Sequence, residues 1–302
     1  MNTRNRSAQS LVLSLIILLL IALSGCRSSV GNTAGTPQPG SGNYIQNKGS
    51  DTIVNLALAW AEVYQQEHPE VRISVTGGGT GTGIASLFNG TVDIANASRQ
   101  ITEQELQRAR SIGFEPVEYV IARDAIAVIV HPDNPVENLT IEQISQIFSG
   151  EITNWSEVGG EDRPIIRVSR ETNSGTHVYF LEAVIRQGDE NDDTIFAAET
   201  LLLPSSEGII AEVSDNPNAI GYDGLGYITP TVKVVGVAEN EGGDYVLPSV
   251  ETVNNGTYPI SRDLYMYTHD NPSEGVREYL DWIFSPPAQE IVNELGFVPI
   301  TP

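Results

Sequence analysis

The stretch "SRETNSGTHVYF", residues 169–180, sets an arginine four residues ahead of Ser174-Gly175-Thr176, with an apolar run of helical spacing behind them. Arg170 offers a planar, permanently charged fork of donors. Ser174 and Thr176 add hydroxyls, and Gly175 lets a ligand approach the backbone closely. This combination suits a small anion. Arg170 also has a plainer reading, a structural ion pair with adjacent Glu171 or another acid. Two more segments share the pattern without an arginine. Gly49-Ser50-Asp51-Thr52 precedes "IVNLALAW", and Gly79-Thr80-Gly81-Thr82-Gly83 lies between a strand pattern and a helix pattern. All three read as helix starts, where unpaired N–H groups and the positive end of the helix dipole gather. A Ser or Thr ahead of a helix is also an ordinary N-cap, so the weight rests on three such starts together with Arg170. No Gly-Lys-Ser/Thr completes the glycine run, which argues against a nucleoside triphosphate loop.

Other chemistry is poorly served. Ser174 and His177 lie three apart on one helix start, no acid is placed to orient the histidine, and "TNSGT" is not a Gly-x-Ser-x-Gly elbow. A secreted serine hydrolase is therefore the weaker reading, and His177 reads as a partly exposed helix residue. The four histidines, at 68, 131, 177 and 269, are scattered, so neither a metal site nor a cofactor is expected. The chain has 39 acidic residues against 16 basic ones, a formal net charge of −23. Nucleic acid and anionic membrane surfaces are poor partners for such a field. A small anion is repelled by it too, so its site must rely on local donors, and salt should affect its affinity weakly.

The elements that must position these segments alternate between strand and helix patterns. Ile53, Val54, Ala57, Trp60, Ala61 and Tyr64 share a helical face that should end near His68-Pro69. Val71, Ile73 and Val75 alternate as a strand, Ile84 to Phe88 follows as a short helix, and "TVDIANAS" reads as a strand. Thr102 with Glu105 and Thr140 with Gln143 are capping-box signals. The helix after Ser174 should show an apolar face of Val178, Leu181, Val184 and Ile185. Near the C-terminus "SEGVREYLDWIF" and "PPAQEIVNELGF" read as helices, with Pro286 suited to a first turn. Repeated strand–helix alternation predicts an α/β protein with mostly parallel pairing. Two long β-rich runs, "YVIARDAIAVIVH" and "YPISRDLYMYTH", stand far apart in the chain. If both cross between lobes, residues 45–125 plus 262–302 form one lobe, residues 126–261 form the other, and a ligand cleft lies between them.

The N-terminus places the protein. Arg4 and Arg6, an apolar stretch from Leu11 to Leu23, and Leu23-Ser24-Gly25-Cys26 describe a secretory signal over residues 1–25. Cys26 is the only cysteine, so no internal disulfide can form. Its setting resembles a bacterial lipobox, in which the signal is cut before a cysteine that is then lipidated; an uncleaved anchor is the alternative. Residues 26–43 are rich in Ser, Gly, Thr and Pro and read as a flexible tether. The body is expected outside the cytoplasm, held to the membrane through Cys26.

Taken in order, "KGSDTIVNLALAWAEVY", "GGGTGTGIASLFNGTVDIANASRQ", "SGEITNW", "SRETNSGT", "IGYDGLGY" and "YPISRDLYMYT" resemble the phosphate-binding lipoprotein of the high-affinity phosphate ABC importer. The resemblance covers nearly all of the chain after Cys26. It implies the two-lobed periplasmic binding-protein fold (type II), with mixed sheets flanked by helices and a two-strand hinge. It implies a monomer, not an enzyme, that closes on one inorganic phosphate and passes it to the permease of an ABC importer. Residue by residue, it implies ligand contacts at Ser50, Asp51, Thr52, Thr80, Ser98, Arg99, Arg170, Ser174, Gly175 and Thr176. Well-known members carry an aspartate where Arg99 stands, and that aspartate accepts the proton of hydrogen phosphate. A buried acceptor refuses sulfate, which has no proton to give, whereas a second arginine does not. Asp51 is a candidate for the missing acceptor, and a receptor for sulfate, molybdate or a small carboxylate is the alternative.

Overall fold

The computed structural model describes residues 44–189 and 191–300. The expected signal, tether and Cys26 anchor lie outside them. The chain opens with strand β1 (Tyr44–Gly49), helix α1 (Asp51–Glu67), β2 (Arg72–Thr76), α2 (Thr80–Phe88) and β3 (Ile94–Ala97). β2 and β3 flank β1 in parallel, so two strand–helix–strand units lie side by side. The seven buried residues of α1 include all the predicted face except Val54, and the helix ends at His68 as its pattern requires. Helix α3 (Glu103–Ser111) begins at the predicted Thr102–Glu105 capping box.

Strand β4 (Pro116–Val130) then runs for 15 residues, far longer than its neighbours. Beyond it lie β5 (Asn138–Thr140), α4 (Ile141–Ser149) behind the Thr140–Gln143 capping box, and β6 (Ile166–Arg170). Helix α5 (Gly175–Phe180) follows at once, and after it come β7 (Leu201–Leu203), α6 (Ser206–Asp215) and β8 (Ala219–Gly224). Short strands β9 (Lys233–Val234) and β10 (Gly236–Ala238) lead through α7 (Val250–Asn254) to β11 (Ser261–His269). Helices α8 (Glu274–Ile283) and α9 (Pro286–Glu294) complete the described chain, with Pro286 in the first turn of α9 as expected.

Among the described residues the main sheet has nine strands, in the order β2-β1-β3-β11-β4-β8-β6-β7, with β9 also on β4. Mostly parallel pairing does not hold. The two longest strands, β4 and β11, run antiparallel to each other, and β8 is antiparallel to β4. The reason is topological: β4 and β11 are joined by a long excursion rather than by one crossover helix, so nothing requires a parallel return. β4 pairs with β11 over Pro116–Ala125, then with β8 over Ile126–Val130.

Apolar burial divides at the same place. Trp60, Tyr64, Ile121, Leu264, Tyr279 and Phe297 belong to one packed cluster, whereas Ile126, Phe148, Trp155, Phe180, Tyr222 and Ile260 belong to another. The helix after Ser174 departs from its expected regular face. Its α-helical part ends at Phe180, and Leu181–Ile185 forms one wider π turn. That extra residue per turn buries Val184 and Ile185 while Val178 and Leu181 stay half-buried.

Candidate anion-binding site

β1 ends at Gly49, whose φ of +151° is a conformation that L side chains rarely adopt; a Cβ there would overlap the Asn96 carbonyl. This glycine lets the loop before α1 lie against the end of β3, where the Ser50 N–H donates to the Asn96 carbonyl at 2.9 Å. Ser50 is the N-cap of α1 but makes no side-chain cap bond. Its hydroxyl donates instead to Ser98 Oγ at 2.9 Å. Thr80, at the start of α2, lies 3.3 Å from Ser98 Oγ and accepts the Ser98 N–H at 3.1 Å. Gly79 holds a φ of +85°, which turns the chain into α2.

From the other side, β6 delivers Arg170 and the start of α5 delivers Ser174-Gly175-Thr176. Ser174 caps α5 by accepting the Thr176 N–H at 3.2 Å. A Cβ on Gly175 would overlap both Ser98 Oγ and Thr80 Oγ1. The absence of a side chain there is what lets the two groups of segments meet. Thr52 and Thr176 Oγ1 are 2.9 Å apart. Asn173 clasps the second loop, accepting the Gly81 N–H at 3.2 Å and donating to the Gly78 carbonyl at 3.1 Å.

Arg170 is 1% exposed. Its Nη2 donates to Asp51 Oδ2 at 2.7 Å and to the Pro204 carbonyl at 2.9 Å, and its Nη1 donates to Ser206 Oγ at 2.8 Å. Its Nε has no protein partner among the described residues. The ion-pair reading of Arg170 holds with another acid and not with adjacent Glu171: the partner is Asp51, 119 residues away. Asp51 also accepts the Gly78 N–H at 3.0 Å through Oδ1, so one carboxylate ties a helix start, a glycine loop and an arginine together.

Nine of the ten residues implied by the resemblance converge in this way. Arg99 does not. Its guanidinium donates to both oxygens of Glu105, at 2.8 and 2.9 Å, and to the Gln100 carbonyl. Burial works to raise the Glu105 carboxyl, but Arg99 and the Thr102 amide together hold it below the usual range. Arg99 is thus bound up in a neutral pair. With Tyr179, Arg262 and Tyr265 it lines a cavity of about 470 Å³ beside the cluster.

His177 is buried and not partly exposed. Its Nδ1 lies 3.1 Å from Ser169 Oγ, which is itself 2.6 Å from the Tyr222 hydroxyl, and its ring stacks on Phe196. Burial depresses the imidazole, which favours the neutral ring. It faces Ser169, while Ser174 Oγ serves the Thr176 amide, so a Ser174–His177 nucleophile–base pair is not assembled.

Sequence reasoning missed four buried partners: Asp124, Ser206, Asp223 and Arg262. Ser206 relays Arg170 to Asp223, donating to Asp223 Oδ1 at 3.0 Å. Arg262 Nη2 donates to Asp124 Oδ2 at 3.0 Å and to Thr176 Oγ1 at 2.9 Å. Burial pushes Asp124 up to about 6 against the pull of Arg262, and neighbouring Asp223 adds to the rise. A signal was available. Each long β-rich run is interrupted by Arg-Asp, at 123–124 and 262–263. In the antiparallel register Arg262 faces Asp124 and Asp263 faces Arg123. Period-two alternation buries the first pair and leaves the second half-exposed.

Residues 34–287 match the model of the PBP superfamily domain. A phosphate-binding protein PstS of Pseudomonas aeruginosa is 34% identical over 277 residues, covering 86% of this chain and 84% of the relative. The PstS of Bacillus subtilis is 32% identical over 254 residues, covering 84% and 79%. The chain belongs to the phosphate-binding protein family. A family structure, the substrate-binding protein assigned to a phosphate ABC transporter of Clostridium perfringens and solved with bound phosphate, superposes with a TM-score of 0.77. It is 33% identical and covers 86% of this chain and all of that one. The fold is the periplasmic binding-protein fold of these relatives, here a mixed sheet flanked by helices.

Proposed function

We propose that this protein captures inorganic phosphate in a cleft between two lobes and delivers it to an ABC importer. One observation carries the reading of the site. The starts of α2 and α5 meet where Gly175 lies against Thr80 and Ser98, and the start of α1 joins them through Ser50–Ser98 and Thr52–Thr176 hydrogen bonds, beside a buried arginine. Such a cluster presents backbone N–H groups, hydroxyls and one guanidinium to a tetrahedral oxyanion, which suits a receptor. The ligand set is Ser50, Asp51, Thr52, Thr80, Ser98, Arg170, Ser174, Gly175 and Thr176, with Arg99 acting only through Glu105. The lobes are residues 45–125 plus 262–302 and residues 126–261, hinged where β4 and β11 cross. Cys26 carries the lipid that holds the monomer outside the cytoplasm beside its permease.

Arg170 gives the test. Removing one member of a buried charged group costs on the order of 3–5 kcal/mol. Arg170→Ala should weaken phosphate binding by roughly two to four decades, at about 1.4 kcal/mol per decade. Because Arg170 is enclosed by Asp51, Ser206 and Pro204, its loss should also lower the thermal midpoint without ligand. A loss of affinity under tenfold would show that Arg170 is purely structural.

A further inference from the structure

Arg262 stands behind the proposed ligand set and belongs to none of the motifs that suggest it. Its side chain is 3% exposed, and Asp124, its cross-strand partner, is fully buried. Besides Asp124, its Nη2 reaches Thr176 Oγ1 at 2.9 Å and Thr52 Oγ1 at 3.4 Å. Its guanidinium carbon lies 5.4 Å from the centre of the Tyr179 ring, on the same helix as Thr176. One guanidinium therefore touches α1, β4 and α5 at the point where the two long strands cross.

Arginine donates and never accepts. The Thr52–Thr176 hydrogen bond consumes one of the two hydroxyl protons, whichever residue donates. Thr176 Oγ1 already receives an Arg262 N–H, so the pair keeps one free O–H, and the guanidinium repels that proton toward the opposite side. Asp124 offsets the charge of Arg262, so the arginine directs hydroxyls without acting as a second general anion trap. We propose that Arg262 is a positioning residue for phosphate: it joins the Thr52 and Thr176 hydroxyls across the two halves and orients their remaining proton toward the anion. The inference rests on the phosphate reading above. It adds that the donor geometry forms only when α5 meets α1, which couples binding to closure.

The test is a double-mutant cycle on phosphate affinity with Arg262→Gln and Thr176→Val, joined by Arg262→Lys and by small-angle scattering with and without saturating phosphate. Arg262→Gln should weaken phosphate binding by roughly ten- to a hundredfold, in the range of a lost charged hydrogen bond. The penalty for Thr176→Val should shrink at least threefold in that background, and Arg262→Lys should recover part of the affinity and the closure. A purely structural arginine would lower the thermal midpoint and leave the two penalties multiplicative. If Arg262→Gln fails to fold, the cycle is run on Arg262→Lys, whose charge still meets Asp124. Multiplicative penalties, or a loss below threefold with phosphate bound by the wild type, overturn this inference alone. No phosphate binding by the wild type overturns the reading beneath it.

Discussion

At Arg170 and Asp51 two opposite charges meet at 2.7 Å inside a chain whose net charge is −23. A dianion entering beside Asp51 meets a carboxylate, and repulsion is relieved only if the ligand brings a proton to share. Hydrogen phosphate does so near neutral pH, and sulfate does not. With Arg99 neutralised by Glu105, Asp51 is the carboxylate in the proposed ligand set and hence the candidate acceptor. Asp51→Asn keeps a carbonyl acceptor but adds two donors and removes the charge. Sulfate should then gain on phosphate by about 1–3 kcal/mol, the scale of a buried polar mismatch. Competition between the two anions checks this, and an unchanged ratio removes Asp51 from selectivity. Residue types were legible where a motif spans consecutive positions, as in Ser174-Gly175-Thr176. The Arg99–Glu105 pair was not legible, because an alignment of motif positions carries no information about which way a side chain turns.

Among elements, the start of α5 and the crossing of β4 with β11 are the two places where geometry has no slack. Gly175→Ala drives a methyl into Ser98 and Thr80. Overpacking of that kind costs about 1–3 kcal/mol. Here it separates the segments meant to share the anion, so phosphate affinity should fall tenfold or more while the ligand-free thermal midpoint drops by only a few degrees. A midpoint that collapses along with affinity would mean that the contact serves the fold. At the crossing, the folded state raises Asp124 above its unfolded value, to about 6. The folded protein therefore holds this proton more tightly than the unfolded chain. Stability from Asp124 is present at the acid end and is lost as pH rises through about 6, by about 1.4 kcal/mol for each unit of difference. Asp124→Asn should remove that slope between pH 4 and 6.5 in denaturant titrations. A wild-type curve parallel to the variant would contradict it. Helices were legible from period and caps because those signals are local. The pairing direction of β4 and β11 was not, since partner choice is decided by packing between residues more than a hundred positions apart. The π turn at Leu181–Ile185 was hidden because its apolar residues fit a regular helix equally well.

For the whole molecule, Arg170 and Arg262 are buried in a chain whose net charge is −23, and the proposed cleft must work against that field with close-range donors. The division of labour between anchor and body gives a separate prediction. Cys26→Ala should move the protein from the membrane to the soluble fraction with its phosphate affinity intact; retention in the membrane fraction would indicate an uncleaved anchor. Fold class was legible in the alternation of patterns along residues 44–300, because covering a sheet on both faces demands that order. The buried Arg262–Asp124 and Arg170–Asp51 pairs were not, since each joins residues over a hundred positions apart. The most direct measurement is a calorimetric titration of the soluble body with phosphate, sulfate, molybdate and citrate at low and high salt. The account predicts saturable heat with one phosphate per chain, little response to the other anions, and an affinity that changes little with salt. Heat from sulfate with silence from phosphate, or equal affinity for both, would contradict it.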